Sequence, residues 1–184
     1  MTTSRRMIGG VIRLGLVILA VAFIANYFGH RGPSRKHMRV RTESAVLDSL
    51  APGDMRIYNA DSSVDLVLKG HEILAGLSPV TVAKIKQELD TSASQDTSGL
   101  GASISQIVKK TVAGAIGTHA AFPLSDIRDI RYDGDQIVFD WKDGGKHQIF
   151  GGTKVNGGRV SNSFRRDDAE RFIEAVRSRM GNAR

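Results

Sequence analysis

The sequence predicts an α+β protein: a single N-terminal transmembrane helix, then an antiparallel sheet with a helical insertion and a C-terminal capping helix. Three observations carry this. An apolar run, Leu14-Gly-Leu-Val-Ile-Leu-Ala-Val-Ala-Phe-Ile-Ala-Asn-Tyr-Phe28, lies between basic residues, the pattern of a membrane segment. Short stretches of alternating apolar and polar residues are separated by Lys-Gly and Asp-Gly pairs, the pattern of hairpins. Two other stretches repeat apolar residues at helical spacing.

Charge divides the chain. Arg5, Arg6, Arg13, Arg31, Arg35, Lys36, Arg39 and Arg41 lie in residues 1–41, which hold no Asp or Glu, leaving residues 42–184 nearly neutral. The pI of about 10.0 therefore points to a bilayer rather than to nucleic acid. Residues 14–28 would span about 22 Å as a helix, and extension back to Met7 gives about 33 Å, enough for a hydrocarbon core of roughly 30 Å. Arg13 would then snorkel to the headgroups. Residues 1–28 are thus read as the anchor. A cleaved signal peptide is the alternative, although Asn26-Tyr27-Phe28 makes a poor exit from the apolar run. The Lys and Arg excess after the segment predicts a single-pass protein of the inner or plasma membrane with its C-terminal domain in the cytoplasm. Residues 29–54 read as a basic juxtamembrane linker and short helix. Arg31, Arg35, Lys36, Arg39 and Arg41 are candidate lipid contacts there, or simply a stop-transfer flank.

The domain proper is expected over residues 55–184. Residues 42–50 suggest a short helix ended by Pro52-Gly53, and residues 55–59 a first strand. Val64, Leu66 and Leu68 alternate, Lys69-Gly70 turns, and Ile73-Leu74-Ala75 returns, which predicts a hairpin. Ser78-Pro79 is a helix start, followed by Val82, Ile85 and Leu89 on one face. Residues 91–101 read as a loop. A second helix is expected over 102–118, with Ile104, Ile107, Val108, Val112 and Ile116 as its stripe. From Phe122 strands are expected again. Asp133-Gly134 reads as a type I′ turn, and Ile137, Phe139 and Trp141 share a strand face. Residues 146–150 and 159–164 are further candidate strands. Asp167 with Glu170 suggests a capping box for a last helix that buries Phe172, Ile173, Val176 and Met180.

The segment Pro123-Leu-Ser-Asp-Ile-Arg-Asp-Ile-Arg-Tyr-Asp-Gly-Asp-Gln-Ile-Val-Phe-Asp-Trp-Lys-Asp-Gly-Gly145 resembles the middle of bacterial PH-like domains. Phe164-Arg-Arg-Asp-Asp-Ala-Glu-Arg-Phe-Ile-Glu-Ala-Val176 resembles their closing helix. The resemblance covers about residues 55–77 and 120–181. It implies a bent antiparallel sheet plugged at one end by that helix, in a scaffold that binds lipids, peptides or proteins. The helical insertion over 78–118 departs from the ordinary domain.

Little in the sequence carries catalysis. With no Cys, disulfides, thiolate metal sites and Cys nucleophiles are excluded. No two of His30, His37, His71, His119 and His147 stand at helical ligand spacing, so no metal is expected. Asp126, Asp129, Asp133, Asp135, Asp140 and Asp143 follow turns and strand alternation rather than a calcium loop. Gly151-Gly-Thr-Lys-Val-Asn-Gly-Gly-Arg159 could cradle a phosphate with Lys154 and Arg159, or be a plain hairpin loop. No cofactor, small-molecule substrate or nucleic-acid partner is expected. The sequence reads as a membrane-anchored, non-enzymatic binding or assembly subunit of a membrane protein complex, with the stripe Ile104, Ile107, Val108, Val112, Ile116 as partner surface. A lipid-headgroup sensor using the basic linker with Lys154 and Arg159, and an enzyme with an unrecognised site, are the alternatives.

Overall fold

The structure, a computed structural model, describes residues 39–42, 50–93, 118–144, 146–147, 149–150, 154–155, 158–159 and 162–182. In chain order the elements are β1 (Arg39–Thr42), β2 (Met55–Tyr58), β3 (Val64–Lys69), β4 (Glu72–Leu77), α1 (Pro79–Ala93), β5 (Thr118–Pro123), a 3₁₀ turn (Leu124–Asp126), β6 (Ile127–Asp133), β7 (Gln136–Trp141), β8 (Lys146–His147), β9 (Lys154–Val155), β10 (Gly158–Arg159) and α2 (Arg166–Asn182). They form a five-stranded sheet ordered β1-β5-β4-β3-β2, a three-stranded sheet β6-β7-β8 and the small hairpin β9-β10. All pairings are antiparallel.

The expected fold class needs correction. The span over residues 7–28 lies outside the described residues, and no described helix is long and apolar enough to cross a membrane. α1 has 15 residues and α2 has 17, against the roughly 20 apolar residues a span requires. α2 is also charged on its exposed side, with Arg166, Asp167, Asp168, Glu170, Arg171, Glu174, Arg177 and Arg179. The described chain is a mixed α+β domain whose strands fall into two principal sheets rather than one bent sheet.

The hairpin forms as its alternation dictates. Lys69 pairs with Glu72, and Gly70 turns the chain at φ +53°. Val64, Leu66 and Leu68 enter the main core with Ile73 and Ala75. The opposite face is covered as well, since Val67, Leu74 and Ala121 form a separate buried cluster. Ser78 caps α1 by accepting a hydrogen bond from the Thr81 N–H at 3.2 Å. Ile85 is buried and Val82 half-buried on the face expected.

Other elements differ. Arg39–Thr42, read as linker, is a strand on the edge of the large sheet, with Val40 opposite Ala120 and Arg41 opposite His119. Residues 43–49 of the expected short helix lie outside the described residues, as do the second helix over 102–117 and most of the loop; Thr91–Ala93 ends α1 instead. Thr118 opens β5, so that strand begins four residues before Phe122. The small residues Ala120 and Ala121 suit a helix end by propensity, but each is fully buried between neighbouring strands. At Asp133↔Gln136, Gly134 has φ +68° and Asp135 has none of the positive φ that a type I′ turn needs; positive φ at the first central residue alone belongs to type II′. The stretch 146–150 is a strand only at Lys146–His147, after which Ile149 and Phe150 dip into the core. In place of a strand over 159–164 there is the β9-β10 hairpin, followed by bridges from Ser163 to Gln136 and from Phe164 to Asn59. α2 starts at Arg166, two residues earlier than a capping box with Asp167 as its N-cap requires. Asp167 and Asp168 therefore sit in its first turn, where they favour the helix dipole, and Glu170 faces Arg166 at 3.4 Å.

One core joins the sheets. Phe122 of β5 lies 5.5 Å from Trp141 of β7, ring centre to ring centre, and Phe139 lies 6.0 Å from the same indole. Phe172 and Val176 of α2 are fully buried among them, Ile173 nearly so, and Met180 packs at the margin.

Candidate functional site

The C-terminal end of α2, the β3–β4 turn, the β5–β6 corner and the ends of β1 and β7 surround a cleft of about 1010 Å³. Its cations come from four elements: Arg39 from β1, Arg128 from β6, Lys142 just after β7, and Arg177 from α2. Glu72 and Asp129 are its carboxylates, and Pro123 and Met180 its half-buried apolar contacts.

Each wall is fixed by the backbone. The Leu124 N–H donates to the His71 carbonyl at 2.9 Å, tying the hairpin turn to the corner after β5. The Lys142 N–H donates to the Asp126 carbonyl at 3.0 Å, and Arg128 Nη2 donates to the Lys142 carbonyl at 2.9 Å. Arg179 joins α2 to the hairpin. Its Nη1 donates to the Gly70 carbonyl at 2.7 Å, and its Nη2 reaches the Gly53 carbonyl and Asp54 Oδ1. Asp54 also accepts from the Gly70 and Ala51 N–H groups at 3.1 and 3.0 Å. Burial alone would raise the Asp54 carboxyl. The two backbone hydrogen bonds and the Arg179 guanidinium outweigh it and hold the group below the ordinary carboxylate value of 3.8.

The cations are unequally neutralised. Arg177 pairs with Asp129 at 3.0 Å, and Arg128 lies 3.9 Å from Asp140. The side chains of Arg39 and Lys142 make no ion pair or hydrogen bond with the described residues, and the lining as a whole sets four cations against the carboxylates of Glu72 and Asp129.

Of the residues singled out from the sequence, Arg39 lines this cleft. Arg41 lies two positions along the same strand. Lys154 and Arg159 are brought opposite each other in the β9-β10 hairpin. Arg31, Arg35, Lys36 and the stripe Ile104, Ile107, Val108, Val112, Ile116 lie outside the described residues.

Sequence reasoning missed a buried charged cluster on the second face of the large sheet. Asp65 is fully buried, with Arg56 Nε 3.4 Å from its Oδ2 and His119 Nε2 3.5 Å from its Oδ1. The His119 ring lies over Gly76, where a Cβ would collide with it. The available signal was one carboxylate inside Val64-Asp-Leu-Val-Leu68. The cluster is enclosed, which suits a structural role. Among the described residues no group of three or more His, Asp or Glu is placed to hold a metal ion.

No protein-family model, curated protein or solved structure matches this chain, and the resemblance to bacterial PH-like domains rests on its motifs alone.

Proposed function

We propose that this chain is a non-enzymatic binding or assembly subunit, held at a membrane by its basic and apolar amino-terminal segment, that engages a membrane protein partner. The cleft between α2, the hairpin turn and the β5–β6 corner is the observation that carries this reading. Its cations Arg39, Arg128, Lys142 and Arg177 outnumber its carboxylates Glu72 and Asp129, and they stand on elements whose backbones are tied to one another, which suits an anionic group of a partner. Purification of the full chain in a gentle detergent, followed by mass spectrometry, tests it. A stoichiometric membrane protein should co-purify; a chain that runs alone, or that turns over a substrate, overturns the reading.

A lipid-headgroup sensor is the second reading. The register that sets Lys154 opposite Arg159 favours it. Salt-sensitive binding of the full chain to anionic vesicles, lost in Lys154→Glu/Arg159→Glu, is its expected signature.

A further inference from the structure

We infer that residues 43–49 cross the second face of the large sheet, seating Val46 and Leu47 on the patch formed there by Val67, Leu74 and Ala121. The patch lies in register on three adjacent strands, since Val67 pairs with Leu74 and Leu74 with Ala121. Its residues are buried, yet they form a cluster apart from the main core, which holds the apolar stripe of α2 and Ile85 of α1. Burial of apolar side chains on this face requires a cover.

The ends of the segment point to that cover. One row, Val40–Ala120–Ala75–Leu66–Ile57, runs across all five strands, and β1 and β2, its two edges, run in the same direction. Thr42 lies two residues beyond this row and Met55 two residues before it. Strand spacing and rise put them roughly 23 Å apart, and thirteen extended steps reach about 43 Å, enough to rise over one face. Handedness chooses the face. The Asn59 N–H donates to the Val64 carbonyl, so the backbone groups of Ile57 also point to β3 while its side chain enters the main core. For L-residues this sets β1 to the left of β2 when the second face is towards the viewer and both strands run upward. A crossover from β1 to β2 over that face is right-handed, and one over the core face is left-handed. Parallel strands of one sheet are joined right-handedly in about 98% of cases. In residues 43–49 the apolar Ala45, Val46 and Leu47 stand between Glu43 and Asp48, so the apolar part falls over the middle of the sheet. Residues 39–54 then belong to the domain, and the second face is taken up, which leaves the cleft for a partner.

The chain has no Cys, so introduced pairs report proximity cleanly. Leu74→Cys is combined in the full chain with Val46→Cys, Leu47→Cys or Val108→Cys, and each variant is oxidised with diamide in mild detergent. Val46→Cys/Leu74→Cys or Leu47→Cys/Leu74→Cys should close an intramolecular disulfide at least tenfold faster in native buffer than in urea, since closure needs Cα atoms within about 7 Å. Hydrogen exchange gives a reading without Leu74→Cys. Val46→Asp/Leu47→Asp should speed exchange in β3, β4 and β5 at least tenfold while α2 exchanges as in the parent, and Lys84→Glu/Lys86→Glu on α1 should leave both unchanged. Closure in Val108→Cys/Leu74→Cys alone would assign the face to residues 94–117, and disulfide-linked dimers would assign it to a second copy. Either result overturns the inference, as does closure in neither pair or unchanged exchange in Val46→Asp/Leu47→Asp.

Discussion

Asp65 sits within Val64-Asp-Leu-Val-Leu-Lys69, where strand alternation turns it away from the face of Leu66. On an ordinary half-exposed sheet that position would be wet. Here both faces are covered, and Arg56 and His119 stand beside the buried carboxylate. Gly76 is part of the arrangement, since its missing side chain leaves the space in which the His119 ring lies. Gly76→Ala should therefore force the ring or the strand to move and cost roughly 1–3 kcal/mol, the usual range for overpacking. Urea unfolding of parent and variant checks it, and an unchanged midpoint would show that the ring has room to turn aside.

At the scale of elements, α2 is held by two kinds of contact. Its apolar stripe packs on the sheets, and Arg179 near its end grips the turns at Gly53–Asp54 and Gly70. The stripe was legible in the sequence because it recurs locally with helical period. The grip was not, because Arg179 and Asp54 lie 125 positions apart. Since Asp54 titrates below 3.8 in the folded protein, its contribution to stability is fully present above that value and is lost as pH falls through the lower folded one. Arg179→Gln should cost roughly 1.5–3 kcal/mol at neutral pH, the worth of hydrogen bonds to a charged group. It should also reduce the acid-induced loss of stability. Denaturation midpoints between pH 7 and pH 3 measure this; parallel pH profiles for parent and variant would show that the pair adds nothing.

At the scale of the molecule, the two principal sheets share one core, and Trp141, the single Trp of the chain, stands where they meet. Ser163 and Phe164 stitch the same junction by bridging to Gln136 and Asn59. Unfolding followed by Trp fluorescence and by far-UV circular dichroism should give coincident transitions. Phe172→Ala should move both together by roughly 3–5 kcal/mol, because the ring is fully buried against both sheets. Transitions that separate would mean that the sheets unfold independently. The expected membrane span and partner stripe were legible as patterns, but they fall outside the described residues. The described helices are too short and too charged to serve as a span.

The hairpin around Gly70, the Ser78-Pro79 helix start, the turn at Gly134 and the buried face of α2 were determined by the sequence itself. Each depends on residues a few positions apart, so local periodicity and turn chemistry are enough to specify it. The pairing of β1 with β5, the meeting of Arg56, Asp65 and His119, and the cleft that gathers Arg39, Lys142 and Arg177 were decided by the tertiary structure. Alternation tells which face of a strand a residue takes but not which strand lies beside it. A basic residue reads alike in a linker and on a sheet edge until its backbone partner is known.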